Sequence, residues 1–188
     1  MRALEALFLG IVLVCLAAIA LPAISNPGKL ATAMKYLQTG HTSSTSVVGG
    51  PSLSAQRIDA ILSKSPAYGT GQTFYSDSIR YNIDDAYAVG FFKHESSLGL
   101  YGAASVTHSI GNIVCTVGYS CIGRFRYYAS WQAGIHDWYQ LISGPAYVGS
   151  GLKTLEQIIP KYAPSSENSP ADYIAAVERD VTSWRQGA

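Results

Sequence analysis

One carboxylate in this chain stands in a setting that suits proton transfer. Glu95 comes three and four residues after Phe92 and Phe91, and this spacing places all three on one face of a helix. That face is apolar, so the carboxyl group is partly removed from water. Glu95 also lies in the predicted last turn, where the helix dipole disfavours an anion. Both effects raise the pKa of a carboxyl group, and a raised pKa suits a general acid near neutral pH.

A purely structural interpretation of the same pattern is that Glu95 ends a helix and pairs with Lys93 or His94. His94 lies about 100° round the helix from Glu95, so a Ser-His or Cys-His nucleophile arrangement has no support. Neither His108 nor His136 shows metal-ligand spacing. We therefore expect an active site without a metal or any other cofactor.

Four blocks of residues occur in a recognisable order. They are HESSLG at 94–99, SIGNI at 109–113, FRYYASW at 125–131 and YAP at 162–164. Together they resemble the bacterial glucosaminidase family, glycoside hydrolase family 73, over about residues 52–184. The resemblance implies an α+β, mainly α, lysozyme-like fold, with a glycan lying between an α-lobe and a small β-hairpin lobe. It also implies that Glu95 is the general acid.

The chain departs from a two-carboxylate mechanism. The family is often described with a second acid in the β-hairpin lobe, but residues 96–136 contain no Asp or Glu. Asp85 lies about 15 Å from Glu95 along a helix, whereas two-acid glycosidases separate their carboxyl groups by about 5–9.5 Å. Three further acids lie elsewhere in the chain: Glu156, Glu167 and Asp172. Of these, only Glu167 is in an obvious loop.

The sequence therefore favours a mechanism with one carboxylate. Glu95 protonates the glycosidic oxygen, and the substrate's own 2-acetamido group, or a water held by polar side chains, meets the positive anomeric carbon. A tyrosine hydroxyl steadies that charge, with Tyr162 as the first candidate and Tyr127 as the second. Gly111 allows a tight backbone approach at the floor of the cleft. Asn112 either hydrogen-bonds a sugar acetamido group or holds the lobe in place.

We expect an endo-β-N-acetylglucosaminidase that cuts β-1,4 bonds in peptidoglycan or a related glycan. A lytic transglycosylase that leaves an anhydro sugar is the closest alternative. A non-catalytic glycan-binding envelope protein is the other, and the missing hairpin acid favours it somewhat. The net charge of +1 and the absence of a basic stripe exclude nucleic acid as a partner. We expect a monomer.

Helices must position these residues. Apolar spacing predicts one helix from Ser52 to before Pro66, a second over 72–81, and a third that begins after Asp84 as its N-cap and stops at Gly99. Residues 103–128 are rich in Val, Ile, Thr, Tyr and Gly, which indicates an irregular β-hairpin or loop lobe. Arg126, at the end of this region, is expected to pair with Glu95 or with another buried carboxylate.

Helical spacing resumes after this lobe. Ser130 is a predicted N-cap, and the next helix carries the core-facing stripe Trp131, Ile135, Trp138 and Ile142. Thr154 and Gln157 form a predicted capping box for a short helix that ends around Pro160. Ser169 and Pro170 begin the final helix, and its predicted stripe is Ile174, Val177, Val181 and Trp184.

Two cysteines lie close together within the lobe. Cys115 and Cys121 form an even pair, which in an oxidising compartment predicts a disulfide. A zinc site that uses His108 is the alternative, but it lacks a convincing fourth ligand. The third cysteine, Cys15, is interpreted as an apolar filler in a hydrophobic run.

The N-terminus predicts export. Residues 6–25 carry no charge and are long enough for a membrane anchor, while residues 23–25 also suit a signal cleavage site. We favour the anchor, with the catalytic domain outside the membrane or in the cell wall. Residues 1–25 are thus a signal peptide or an anchor that contacts the membrane if it is not cleaved. Residues 26–51 are predicted to be a flexible spacer, and residues 52–188 the catalytic domain.

Overall fold

A computed structural model describes residues 45–166 and 169–187. In this part the chain is mainly helical, with one two-stranded antiparallel sheet, so the prediction of an α+β, mainly α domain is confirmed. The elements in chain order are α1 (Ala55–Ile61), α2 (Gly71–Tyr81), α3 (Asp85–Ser96), α4 (Ala104–Thr107), β1 (Cys121–Ile122), β2 (Phe125–Arg126), α5 (Trp131–Ser143), a 3-10 turn (Val148–Ser150), α6 (Leu155–Tyr162) and α7 (Pro170–Arg185).

Some sequence predictions fall outside this part of the chain. The apolar segment over 1–25, most of the spacer over 26–51, and Glu167 lie outside the described residues. None of the helices within the described residues is both long and apolar enough to cross a membrane.

Side-chain caps fix where the helices begin. Asp84 accepts the backbone N–H of Ala86 at 2.9 Å at the start of α3, and Ser130 accepts that of Ala133 at 3.3 Å at the start of α5. Ser169 does the same for α7, which has Pro170 in its first turn. Each cap satisfies a backbone donor that has no partner within the helix. All three predicted N-caps are confirmed.

Helix α3 runs through the core and packs most extensively against α7. Phe91 and Phe92 are both buried on α3. Gly90 allows the two helices to cross closely, because a Cβ at this position would lie 2.9 Å from Cγ1 of Val177. The stripe predicted for α5 faces the same core, and its four members are buried: Trp131, Ile135, Trp138 and Ile142.

The buried face of α7 differs from the predicted one by a residue. Tyr173 is 1% exposed, whereas Ile174 is only partly buried. The buried series is therefore Tyr173, Val177, Val181 and Trp184, with helical spacing of four, four and three residues. The prediction that the stripe begins at Ile174 is wrong. The side chain that begins it is Tyr173, which is buried in the interior.

The segment just before the predicted domain also packs against it. Val47 is 1% exposed; its N–H donates to the Lys153 carbonyl at 2.8 Å, and its carbonyl accepts the Asp84 N–H at 2.9 Å. The packed part of the chain thus includes residues 45–51, which the sequence placed in the spacer. A short polar segment with isolated valines gave no sign of this, because its partners are distant in sequence.

Helix α6 continues two residues beyond Pro160 and ends at Tyr162. Its start follows the capping-box prediction, since the Gln157 side chain accepts the Thr154 N–H at 3.2 Å. Proline removes only its own N–H from the helix, and the Ala163 N–H still donates to the Ile159 carbonyl at 2.8 Å. The predicted end at Pro160 is therefore too early, and the extra half-turn positions Tyr162.

The predicted hairpin forms a small lobe, defined here as residues 113–128. Cys121 pairs with Arg126 across the two strands, and a disulfide joins Cys115 to Cys121, as predicted. The alternative zinc site is wrong, since both thiols are used and Nδ1 of His108 contacts the Tyr128 carbonyl at 2.7 Å. The β-region begins later than predicted, because residues 104–107 are helical.

The start of α3 generates a prediction about stability. The Asp85 carboxylate is fully buried and accepts the backbone N–H groups of Ser52 and Leu53 at 3.0 and 3.1 Å. Burial raises the pKa of Asp85 from 3.8 to about 6 in the folded state. The folded chain therefore binds this proton more tightly than the unfolded chain does. The resulting stabilisation is present below about pH 4 and is lost as the pH rises through about 6.

We expect Asp85→Asn to flatten the dependence of stability on pH. The free energy of unfolding of the natural chain should lose about 3 kcal/mol from this group between about pH 4 and about pH 7. Urea unfolding at several pH values across this window measures the slope for both proteins. An equally steep slope in the variant would show that other groups cause it.

Candidate active site

Glu95 lies in the last turn of α3, as predicted. The helix ends at Ser96, three residues before the predicted stop at Gly99. Ser97 and Leu98 both adopt left-handed backbone conformations, with φ of 52° and 61°, which turn the chain sharply away from the helix axis. Such conformations are unfavourable for residues with a side chain. The abrupt end leaves the Glu95 carboxyl group at the margin of the core, partly buried and not covered by further helix.

Both oxygens of the Glu95 carboxyl group are held by side-chain donors. The Tyr173 hydroxyl donates to Oε1 at 2.8 Å, and Nδ2 of Asn112 donates to Oε2 at 3.2 Å. Burial raises the pKa of Glu95, and these two hydrogen bonds lower it by a smaller amount. The net direction is upward, so the group holds its proton at a higher pH than an exposed glutamate does.

Asn112 is fixed by its backbone as well as by its side chain. It has a left-handed conformation with φ of 45°, which asparagine tolerates better than most residues do. Its Nδ2 also donates to the backbone carbonyl of Glu95 at 3.1 Å. The amide thus binds both the end of α3 and the carboxyl group. These contacts hold the loop against the end of α3, and the hydrogen bond to a sugar acetamido group stays a prediction.

Gly111 lies where the loop comes closest to the aromatic core. A Cβ at this position would collide with Oη of Tyr162 and with the indole of Trp138. The Tyr162 hydroxyl donates to the Gly111 carbonyl at 2.5 Å. The expectation of a tight backbone approach at Gly111 therefore agrees with the structure, and the close contact is with Tyr162.

These residues line an open cleft with a volume of about 420 Å³. Glu95 and Tyr162 both line it, so two predicted catalytic groups border the same space. The remaining walls come from the hairpin lobe, α5, α6 and the turn before α6. The lining residues are Glu95, Gly111, Asn112, Ile113, Val114, Thr116, Arg124, Phe125, Arg126, Leu141, Tyr147, Lys161, Tyr162 and Ala163.

The contacts of Tyr162 fix the direction in which its hydroxyl donates its proton. Its ring packs edge-on against Phe91, with 5.1 Å between the ring centroids. Burial raises the pKa of Tyr162 well above its ordinary value, and the nearby Glu95 carboxylate raises it further. The hydroxyl therefore remains protonated. Because its proton is donated to the Gly111 carbonyl, the oxygen can act toward any further partner only as an acceptor.

Two other predicted site residues do not contact Glu95. Tyr127 is 38% exposed and does not line the cleft; its ring lies 6.3 Å from that of His108. Arg126 lines the cleft, but its guanidinium donates to Asp137 at 2.8 Å. Arg126 was predicted to pair with Glu95 or with another buried carboxylate, and its partner is the second of these, Asp137.

Among the described residues that line the cleft, Glu95 is the only acid. Asp85 lies at the opposite end of α3, where backbone donors hold it. The Asp137 carboxylate is occupied by hydrogen bonds from the lobe, because it accepts the Arg126 guanidinium at 2.8 Å and the Tyr128 hydroxyl at 2.5 Å. Within residues 45–166 and 169–187, no three His, Cys, Asp or Glu side chains cluster as a metal site would require.

A comparison of the chain with models of known protein families found no match, and a comparison with curated proteins found no significant one.

The sequence missed two residues that matter here. Tyr173 binds Glu95 directly, and its ring stacks on His94 with 3.7 Å between centroids. Asp137, on α5, accepts hydrogen bonds from Arg126 and Tyr128 and so holds the lobe against that helix. A signal for Tyr173 was present, since Tyr173, Val177 and Val181 are spaced by four residues. Asp137 gave a weaker signal, as an acid next to Trp138 on the core-facing side of a helix.

The hydrogen bond from Tyr173 yields a prediction that does not depend on activity. Tyr173→Phe removes a donor that favours the charged form of Glu95, so we expect the pKa of Glu95 to rise further. A carbon-13 NMR titration of the glutamate carboxyl groups measures this shift. Tyr139→Phe is the control, because the buried Tyr139 hydroxyl has no hydrogen-bond partner among the described residues. A lower pKa of Glu95 in Tyr173→Phe would refute the assigned role.

Proposed function

We propose that this protein is a glycosidase that cleaves β-1,4 bonds next to N-acetylglucosamine in peptidoglycan or a related glycan. The observation that carries the proposal is the setting of Glu95. It is the only acid among the described residues of an open cleft, and burial raises its pKa. The division into a helical part and a hairpin lobe, with the cleft between them, is consistent with the proposed lysozyme-like fold and with membership of the glucosaminidase family.

In this mechanism Glu95 acts as the general acid. A protonated carboxyl group donates its proton to the glycosidic oxygen as the bond to the anomeric carbon breaks. Tyr173 and Asn112 hold the two oxygens of the carboxyl group, so the remaining lone-pair directions have a fixed orientation. The same two donors stabilise the carboxylate that is left once the proton has been transferred.

The positive charge that develops on the sugar needs a partner other than a second acid. The 2-acetamido group of the substrate can attack the anomeric carbon through its carbonyl oxygen, and its N–H then becomes a stronger donor. Tyr162 offers the acceptor that such an N–H requires, because its own proton is donated to Gly111. We therefore assign Tyr162 to this step in preference to Tyr127, which lies outside the cleft.

A lytic transglycosylase remains the second candidate because it also needs only one carboxylate. In that reaction a hydroxyl of the substrate takes the place of water and leaves an anhydro sugar. Mass spectrometry of the products distinguishes the two, since hydrolysis adds the mass of one water and transglycosylation does not. A protein that binds cell-wall material without releasing fragments from it would instead support the non-catalytic alternative.

Replacement of Glu95 tests the central assignment. We expect Glu95→Gln to lower the rate of glycan cleavage by about 100- to 10,000-fold, because the amide cannot supply the proton. Release of soluble fragments from purified peptidoglycan measures the rate. Glu178→Gln makes the same change at a partly buried position that does not line the cleft, and it should retain activity. Near-normal cleavage by Glu95→Gln would refute the proposal.

The one-carboxylate mechanism has its own test. We expect Tyr162→Phe to lower kcat by about tenfold to a hundredfold while the protein stays folded, because one hydrogen bond to a charged intermediate is lost. Tyr81→Phe is the control, since its hydroxyl contacts His136 and not the cleft. Single-turnover kinetics on a defined glycan measure the effect. If Glu167→Gln abolished cleavage in a folded protein, a second acid would replace Tyr162 in this role.

A further inference from the structure

A second cluster of hydrogen-bonded, titratable side chains lies outside the cleft. Nδ1 of His136 contacts Oδ1 of Asp77 at 3.2 Å, and Nε2 of the same ring contacts the Tyr81 hydroxyl oxygen at 3.0 Å. His136 belongs to α5, whereas Asp77 and Tyr81 belong to α2. None of the three lines the cleft that contains Glu95, so the proposed glycosidase does not use them.

The Asp77 carboxylate determines which nitrogen of His136 carries a proton. A carboxylate can only accept hydrogen bonds, so the neutral imidazole has its N–H on Nδ1, facing Asp77. Nε2 then has a lone pair and no proton, and the Tyr81 hydroxyl donates to it. Proton transfer within this cluster therefore runs from the Tyr81 oxygen to His136.

Asp77 also favours the charged ring that such a transfer creates. Its side chain is only 10% exposed, and its Oδ2 is buried without a hydrogen-bond partner within residues 45–166 and 169–187. A carboxylate with so little contact with water attracts a neighbouring cation strongly. The His136 side chain is 39% exposed, so a molecule in solution can reach the ring.

The ring of Tyr81 is held in place by its neighbours. It stacks on the buried Tyr139 with 6.3 Å between the ring centroids, and it meets the His136 ring edge-on at 5.4 Å. The guanidinium of Arg80, which is exposed, lies 5.5 Å from the centroid of the Tyr81 ring. This cation is close enough to stabilise negative charge that develops beside the Tyr81 hydroxyl.

We propose that Tyr81 is a nucleophile for acyl transfer, with His136 as its general base and Asp77 as a positioning residue. A nucleophile, a base and a group that orients the base, each within hydrogen-bond distance of the next, are the parts that covalent catalysis requires. The substrate class is a small ester with a good leaving alcohol, which can approach the exposed side of His136. This activity is separate from glycan cleavage.

The reaction transfers an acyl group from one oxygen to another. The Tyr81 oxygen forms a bond to the carbonyl carbon of the ester while its proton passes to Nε2 of His136. Arg80 stabilises the negative oxygen of the tetrahedral intermediate. The bond between the carbonyl carbon and the oxygen of the leaving alcohol then breaks, and His136 returns the proton to that oxygen. The products are an aryl ester on Tyr81 and a free alcohol.

Reaction of the natural chain with p-nitrophenyl acetate tests this proposal. Mass spectrometry of peptides from the treated protein measures the rate at which each tyrosine gains an acetyl group. Tyr68 and Tyr101 serve as internal references, because they are 65% and 69% exposed, and accessibility alone would favour them over the partly buried Tyr81. We expect Tyr81 to react about tenfold to a hundredfold faster than either, because general-base assistance has effects of this size or larger.

Variants then assign the rate to the cluster. His136→Gln and Asp77→Asn should each lower the rate at Tyr81 about tenfold and leave the rates at Tyr68 and Tyr101 unchanged. Asp77→Glu should restore much of the rate, because it returns a carboxylate to His136. Asp172→Asn is the matched control, since it makes the same change at an exposed position on α7.

The comparison of tyrosines within the natural chain decides the proposal even if a variant does not fold. Acetylation of Tyr81 no faster than that of Tyr68 and Tyr101 would overturn it, as would an unchanged rate at Tyr81 in folded His136→Gln. Selective acetylation that requires His136 and Asp77 would support it, whether or not the natural chain cleaves glycan. The result therefore does not depend on the proposed glycosidase.

Discussion

The arrangement of this domain depends on the placement of the Glu95 carboxyl group at the C-terminal end of α3, partly shielded from water. Both circumstances disfavour the charged form of Glu95. Two donors from distant parts of the chain, Tyr173 on α7 and Asn112 on the loop after α4, compensate in part. The balance leaves the pKa of Glu95 raised, but by less than burial alone would raise it.

Much of the packing follows from bringing those donors to Glu95. Helix α7 can place Tyr173 beside the carboxyl group because Gly90 permits a close crossing of α3 and α7. The loop can place Asn112 there because Gly111 leaves room for Tyr162 and Trp138. The short extension of α6 past Pro160 then brings Tyr162 to the same cleft. Three elements that are remote in sequence thus converge on the end of α3.

Local patterns predicted the helices well, since caps and apolar stripes depend on neighbours within a few residues. The N-caps Asp84, Ser130 and Ser169 are correct for that reason. Tyr173 was missed because Tyr173 and Ile174 are adjacent apolar residues that both continue a helical stripe. Local spacing allows the stripe to begin at either residue, and the position of α3 decides which of the two is buried.

The hairpin shows the same limit on a smaller scale. Arg126 and Tyr127 are neighbours, and the sequence predicted an ion pair for Arg126 and a role in the cleft for Tyr127. The register of β1 and β2 turns Arg126 inward and leaves Tyr127 exposed. A one-residue shift would exchange them. The sequence predicted the disulfide but not the register of the two strands.

The hairpin lobe has an unusual interior, because between residues 114 and 127 the only buried residue is Arg126. It is joined to α5 through Asp137, which also accepts the hydroxyl of Tyr128. Apolar burial carries a large heat-capacity change and weakens on cooling, whereas this attachment is ionic and hydrogen-bonded. The helical core and the wall of the cleft therefore respond differently to temperature, and the lobe keeps its hold in the cold, where hydrophobic packing loses strength.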